Sequence, residues 1–339
     1  MKSPDPDTDA LVNEAPPGAD PAFFDRFYFN LHGAEPTPLV MIGGGVYPPA
    51  EVVDGYLLVV DGDTQHNLRF SDLGSPRSSV GPLRWETIEP LRVWRLRVDQ
   101  NPLGLELDVT WTARTAAWRT EDITVDNGRG GTSNFSHYFQ SGSYTGSMTW
   151  NGTTTSVDGW TGQRDRSRGV RVVAGGQGLH LWVQAQLADR SVAFIMDETR
   201  AHEMYLCDGA VLHTDGSTDR IADVRHDLTF DAGLDFRVGR LLVTTQAGEE
   251  LEIEVDGTAG GGFLSGGGYG GWHGKAHGAN HVEQDSFALD GTVTPRTLDM
   301  PLTDRPAKFV VNGEPGAGVF EFAVTRSPSY TYRASLPKA

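Results

Sequence analysis

Cysteine is almost missing from this sequence: Cys207 is the only one in 339 residues. No internal disulfide and no cysteine-cluster metal site can form, which suits a reducing cytoplasm. Basic charge is scarce as well, with 28 lysines and arginines against 45 aspartates and glutamates and a net charge of −17. That balance excludes a general basic surface for nucleic acid, and it speaks to solubility more than to substrate. No apolar run approaches the roughly 18 residues that span a bilayer, so no integral membrane segment is expected. The N-terminal stretch carries Asp5, Asp7, Asp9 and Glu14 among prolines and has no apolar signal core. Residues 1–20 are therefore expected to form a disordered acidic tail. Helical periodicity is also lacking, and the one short helix candidate covers residues 199–205. The G-x-S-x-G, G-x-x-x-x-G-K-[ST] and H-E-x-x-H patterns are absent.

What the chain does have is glycine and proline, 42 and 19 of them, set mostly between short apolar runs. Residues 55–60 end at Asp61-Gly62, a strong hairpin signal. Trp94, Leu96 and Val98 alternate with Arg95 and Arg97. Leu105, Leu107, Val109 and Trp111 alternate with Glu106, Asp108 and Thr110. Further strands are expected at 179–187, 192–196, 241–245 and 251–255, the last pair joined at Gln246-Ala247-Gly248. A period of two, broken by frequent turns, predicts an all-β chain of sandwiches or barrels. The length fits two domains in tandem, over residues 21–175 and 176–339.

The densest chemistry lies at residues 162–169, Gly-Gln-Arg-Asp-Arg-Ser-Arg-Gly. A strand at 144–150 leads in through the turn Asn151-Gly152, and one at 170–173 leads out. Two readings stand. Asp165 between Arg164 and Arg166 is the centre of a structural ion-pair network. Alternatively, because strand neighbours face opposite sides, Asp165 points inward while the arginines point outward, and it is a working acid among aromatic rings.

Residues 260–281 are glycine-rich and carry His273, His277 and His281. Gly266, Gly268 and Gly271 satisfy G-x-G-x-x-G, but no βαβ frame surrounds them, so the dinucleotide reading is rejected. The glycines are expected to allow bulges or close backbone approach. Gly274 and Gly278 argue against a helix, and in a strand the three histidines stand about 13 Å apart. A metal site is therefore not expected. A histidine that hydrogen-bonds or shuttles a proton fits better, with a structural role as the default. Tyr138, Phe139, Tyr144, Trp150, Trp160, Trp182, Tyr269 and Trp272 are core candidates, a subset of which could line an apolar pocket. Glu283 and Asp285 share a strand face, the one hint of a carbohydrate-active sandwich. Asn134-Phe135-Ser136 and Asn151-Gly152-Thr153 match the glycosylation pattern, which means little without a secretion signal.

Three segments carry a resemblance. Residues 137–142 read His-Tyr-Phe-Gln-Ser-Gly and are followed by Tyr144-Thr145-Gly146 and then residues 159–169. Residues 268–278 form a second block, and Phe27-Tyr28-Phe29-Asn30 a short third. Together they resemble the lipocalin-like group that contains carotenoid 1,2-hydratase (hydroxyneurosporene synthase) and the AttH-like proteins, whose common form is roughly HYEQSGRVxG…DGxGQRDHSWGxR. The resemblance implies two lipocalin-like antiparallel β domains with a ligand pocket between or within them. It also implies hydratase or cyclase chemistry on isoprenoid- or polyketide-type substrates without metal or organic cofactor. The group's proton-donating aspartate falls on Asp165. The chain departs from the pattern at Phe139, Arg166 and Arg168, where the group has Glu, His and Trp. Arg168 raises the prospect of an anionic substrate or an altered reaction.

The expected function is a cofactor-independent enzyme that protonates a C=C bond of a small hydrophobic substrate. Asp165 is the acid, and His273 or His277 positions it or takes the final proton. Tyr138, Trp150, Trp160, Arg164, Arg168, Trp182, Tyr269 and Trp272 are expected around the substrate. The alternative is a non-catalytic lipocalin-like carrier of an apolar molecule.

Overall fold

The computed structural model describes residues 9–12, 14–74, 78–126, 131–172 and 177–337. Strands dominate it, and no helix is long and apolar enough to cross a membrane among these residues. Thirteen strands come first: β1 (Phe23–Leu31), β2 (Leu39–Tyr47), β3 (Val52–Asp61), β4 (Thr64–Leu73), β5 (Ser79–Val80), β6 (Leu83–Glu89), β7 (Val93–Val98), β8 (Glu106–Ala113), β9 (Trp118–Arg119), β10 (Ile123–Asp126), β11 (Thr132–Trp150), β12 (Thr153–Ser156) and β13 (Thr161–Val170). They form a curled antiparallel sheet in the order β4-β3-β2-β1-β13-β11-β8-β7-β6-β5, with β9, β10 and β12 added along the long β11. A closed eight-stranded barrel follows, built from β14 (Gln177–Gln186), β15 (Arg190–Thr199), β16 (Met204–His213), β17 (Thr218–Phe230), β18 (Phe236–Thr245), β19 (Glu250–Asp256), β21 (Thr303–Val311) and β22 (Glu314–Val324). One strand breaks this order. β20 (His281–Ala288) crosses back to pair with β4 at the edge of the first sheet. The expected second domain, 176–339, is therefore not self-contained.

The hairpins form where the turn residues predict them. Gly62, Gly152 and Gly248 all take positive φ, which suits glycine in tight turns. Residues 199–205 form no helix. They close the β15–β16 hairpin with His202 at positive φ, because Thr199 and Met204 already belong to paired strands. The dense charge of 162–169 is strand throughout, the interior strand β13 between β1 and β11. β13 ends at Val170, and Val173 of the expected continuation lies outside the described residues.

Three apolar clusters hold the molecule. The first fills the curled sheet with Phe27, Phe29, Ile42, Trp94 and Trp111. The second lies inside the barrel, with inward residues such as Leu181, Phe194, Leu241, Phe309 and Phe320. The third lies between the two, where Tyr28, Met41, Tyr56, Phe139 and Trp118 of the sheet meet Trp182, Ile195, Leu212 and Val319 from the outside of the barrel. Each large apolar side chain buried in these clusters stabilises the fold by about 1.5–3 kcal/mol.

The N-terminal segment is partly built in, against the expected tail. Residues 1–8 lie outside the described residues, but Asp9 is fully buried in the first core. Arg164, Tyr138, the Trp94 indole and the Leu91 amide all bond its carboxylate, a contact set that composition cannot reveal.

Candidate functional site at the domain junction

The alternation of β13 divides its charges between two faces. Arg164 and Arg166 point into the first core, only 1% and 2% exposed. Arg164 pairs with Asp9 at 2.7 Å, donates to the side-chain oxygen of Gln140, and lies over the rings of Trp111 and Trp94. Arg166 grips Asp25 with two bonds of 2.6 Å and also bonds the backbone carbonyls of Asp9 and Ala10. These arginines form the structural network. They are the buried members of the motif, the reverse of the outward placement expected from alternation.

Asp165 faces the other way, into the junction. Its direct cross-strand neighbours are Tyr28 on β1 and Phe139 on β11. Its carboxylate bonds the His137 Nε2 at 2.9 Å, and the side chain keeps 22% exposure. Trp182, on the barrel side, packs on Tyr28, His137 and Phe139. Asp165 is therefore neither locked by guanidinium nor open to bulk solvent.

The same face carries two further cations. Arg26 lies over the Tyr269 ring at 4.7 Å, and Arg171 over Phe135 at 4.2 Å and Phe24 at 5.4 Å. Packing around Arg171 and the nearby charge of Arg26 lower its guanidinium from the ordinary value, although the side chain is exposed to solvent.

The barrel contributes an acid cluster. Asp304 and Glu321 are direct cross-strand partners on β21 and β22, and Asp304 is buried. Burial and the charge of Glu321 raise the Asp304 carboxyl well above the usual carboxylate range. Burial alone would raise Glu321 too, but bonds from His180 and Asp304 keep it lowered and ionised. His180 sits 2.7 Å from an oxygen of Asp197 and 2.7 Å from one of Glu321. When the ring is protonated, both of its nitrogens donate to these oxygens. Burial opposes that charge, but the Asp197 and Glu321 carboxylates outweigh it and hold the ring's pKa at about 10. Sequence reasoning missed this cluster. A polar residue alternating with Leu179, Leu181 and Val183 reads as solvent-facing, and nothing local says that another sheet covers it.

The glycine-rich segment lies across the junction end of the first sheet. Arg69 bonds the Gly266 carbonyl, Gln65 bonds the backbone of Phe263, and the Gly274 amide bonds Asp54. The close approach expected of the glycines is seen at Gly266, where an added Cβ would stand 2.1 Å from Asn67. Tyr269 lies at the site, edge-on to Tyr56 and His273. His273 has its Nδ1 3.3 Å from Asp54, and burial together with Arg26 lowers its pKa, leaving it neutral. His277 stacks flat on Trp272 and bonds its carbonyl, away from the Asp165 contacts.

The remaining candidates are dispersed. Tyr138 belongs to the Asp9 network. Trp150 bonds Asp61 at the end of β11, and Trp160 packs at Gly33 against the first core. Arg168 lies over Phe23 on the same strand face as Arg164. Glu283 and Asp285 are both held by Arg69, at 2.7 and 2.8 Å, so they do not form an open carboxylate pair. Among the described residues no group of three His, Cys, Asp or Glu side chains is placed to hold a metal ion.

The architecture recurs in solved structures. An AttH-like protein of Nitrosomonas europaea superposes with a TM-score of 0.59 at 13% identity, over 91% of this chain and 94% of that one. Kievitone hydratase of Nectria haematococca superposes with a TM-score of 0.54 at 13% identity, over 96% of both chains. At such identity the likeness shows a shared two-unit lipocalin-like fold. No curated protein matches the sequence. The family model for the Family of unknown function (DUF8625) matches residues 8–330, and the chain belongs to that family.

Proposed function

We propose that this chain is a cofactor-independent enzyme of the reducing cytoplasm that protonates a C=C bond of a small hydrophobic, isoprenoid-like substrate at the junction. Asp165 is the acid. The observation that carries the reading is the orientation of Asp165, turned out of the arginine network and set among Tyr28, Phe139 and Trp182 with His137 holding its carboxylate. The hydratase activity in the name of kievitone hydratase, which has the same fold, supports the reaction class.

In the proposed step the protonated Asp165 gives its hydrogen to one alkene carbon. A C–H bond forms, the π bond breaks, and the positive charge falls on the other carbon. The rings of Trp182, Phe139 and Tyr28 offer π faces to that cation. Attack by water forms a C–O bond, and the Asp165 carboxylate takes the surplus proton. Attack by an internal double bond closes a ring, and loss of a neighbouring proton shifts the double bond. His273, kept neutral, is a base suited to the final proton, whereas His277 in its stack on Trp272 supports the glycine-rich segment.

Deuterium from D₂O tests the step. Prenyl alkenes incubated with the protein should gain carbon-bound deuterium, read by mass spectrometry. Asp165→Asn keeps the shape and should lower incorporation by about 10²-fold or more. Unchanged incorporation in that variant removes Asp165 from the chemistry. The second reading is a carrier without catalysis, in which the engagement of His180 between two carboxylates is scaffold. It predicts tight binding of an apolar molecule and no incorporation in the unaltered protein.

A further inference from the structure

We propose that Arg26 and Arg171 form an anion subsite beside Asp165 that takes the carboxylate of an otherwise apolar substrate. The inference rests on the reading of the junction as the substrate site and names the substrate's class. It begins with a contrast among arginines. The buried arginines are matched to acids: Arg69 to Glu283 and Asp285, Arg164 to Asp9, Arg166 to Asp25, and Arg305 to Asp235. Arg26, half-buried, and Arg171, exposed at the edge of the same face, are not. Among the described residues neither guanidinium makes an ion pair or hydrogen bond, and their close contacts are the ring faces of Tyr269, Phe135 and Phe24. A guanidinium always carries its charge and offers five N–H donors in a planar fork. Stacking on a ring uses the face of that fork and leaves the edge free for a planar, two-oxygen acceptor.

Their placement puts such an acceptor next to the acid. Arg26 is two residues from Tyr28 on β1, about 7 Å along the strand, and Tyr28 stands opposite Asp165. Arg171 continues the row of Asp165, Ser167 and Gly169 and reaches rings on both neighbouring strands. Other charged or titratable groups facing the two arginines are Asp54, Tyr47, Tyr56 and Tyr269 around Arg26, with Asp165, Tyr269 and Glu321 around Arg171. Glu321 is bonded to His180, Asp165 to His137, and Asp54 to the Gly274 amide, so each of these acids has another partner. Repulsion from Arg26 disfavours the Arg171 charge, and a bound anion offsets it. Phe24, Phe135, Phe139 and Trp182 belong to the apolar cluster on the same face. Arg168, the sequence's own candidate for this role, faces the other side of β13.

The test is equilibrium binding to the full chain, using geranic acid and longer isoprenoid carboxylic acids against their methyl esters, with inorganic phosphate as a third probe. The acid should bind at least about tenfold tighter than its ester. Arg171→Gln and Arg26→Gln should each bring the acid close to the ester while leaving ester affinity unchanged, a readout that misfolding would not give. Asp165→Asn should keep the preference for the acid. Equal affinity of acid and ester, a preference that survives both arginine substitutions, or no binding by any acid overturns the subsite. Phosphate binding as tight as the acid overturns the substrate assignment in favour of a free anion. If Asp165→Asn retains full deuterium incorporation while the acid preference holds, the acid role fails and the subsite stands.

Discussion

Asp9 and Arg164 are a buried pair with more than one anchor. Arg164 also bonds Gln140, and Asp9 also accepts from Tyr138, Trp94 and Leu91. Removing one charge leaves the other in the core without a partner, which typically destabilises by about 3–5 kcal/mol. Asp9→Asn and Arg164→Met should each do so in urea unfolding, and the double variant should lose less than the sum. Additive losses would show that the pair is not coupled. The pH sign is also set. Burial opposes the Asp9 charge, but Arg164 outweighs it and the carboxyl is lowered, so its contribution is present above the ordinary value of 3.8 and fades as pH falls through the native value. His180 runs the other way. Its native pKa of about 10 exceeds the ordinary 6.5, so the native state holds one more proton than the unfolded state between those values. Its contribution is full below pH 6.5 and is lost as pH rises toward 10. Urea midpoints measured across that window should decline for the unaltered protein. They should decline less for His180→Gln, and equal slopes would deny His180 its imidazolium.

At the scale of elements, glycines in β2 decide how the junction is shaped. An added Cβ at Gly43 would stand 2.1 Å from the Tyr56 ring, closer than any real contact. Gly43→Ala must therefore push Tyr56 off the strand and against Tyr269, with a loss of about 1–3 kcal/mol from overpacking. Gly62→Ala in the β3–β4 turn meets no atom within 4 Å and carries only the strain of a positive φ. Both should destabilise, but only Gly43→Ala should perturb the near-ultraviolet signal of the junction aromatics. This contrast also shows what was legible. Period-two alternation and turn pairs such as Asp61-Gly62 gave most strands and hairpins, because those signals are local. β13 was legible as alternating charge, yet which of its faces was deeper depended on Asp9 and Asp25, both more than 130 residues away. Asp165 was singled out by its neighbours and reached the junction. Arg26, Arg171, His180 and Asp304 were not, because each becomes notable only when a second sheet covers its face. The return of β20 to β4 was hidden for the same reason, since alternation names a strand and not its partner.

At the scale of the whole molecule, the two units share too much to unfold separately. The third apolar cluster draws from both, Trp118 of the sheet bonds Asp208 of the barrel, and Arg114 bonds the carbonyls of Leu187 and Ala188. β20 adds a covalent crossing, because it leaves the barrel sequence between β19 and β21 to complete the first sheet. A barrel of residues 177–337 alone would expose Trp182, Ile195, Leu212 and Val319 as one apolar face and leave β20 without β4. Such a patch promotes self-association. The intact chain should therefore unfold in one transition. A charged residue at the junction should lower the protection of both units together. Ile195→Asp places a carboxylate among apolar groups without a partner, a penalty of several kcal/mol. Hydrogen exchange should then quicken in β6–β8, far from the substitution on the sheet side, as well as in β17–β19 of the barrel. Faster exchange confined to the barrel would mean that the junction transmits little stability, and that the two units are independent bodies joined by one strand.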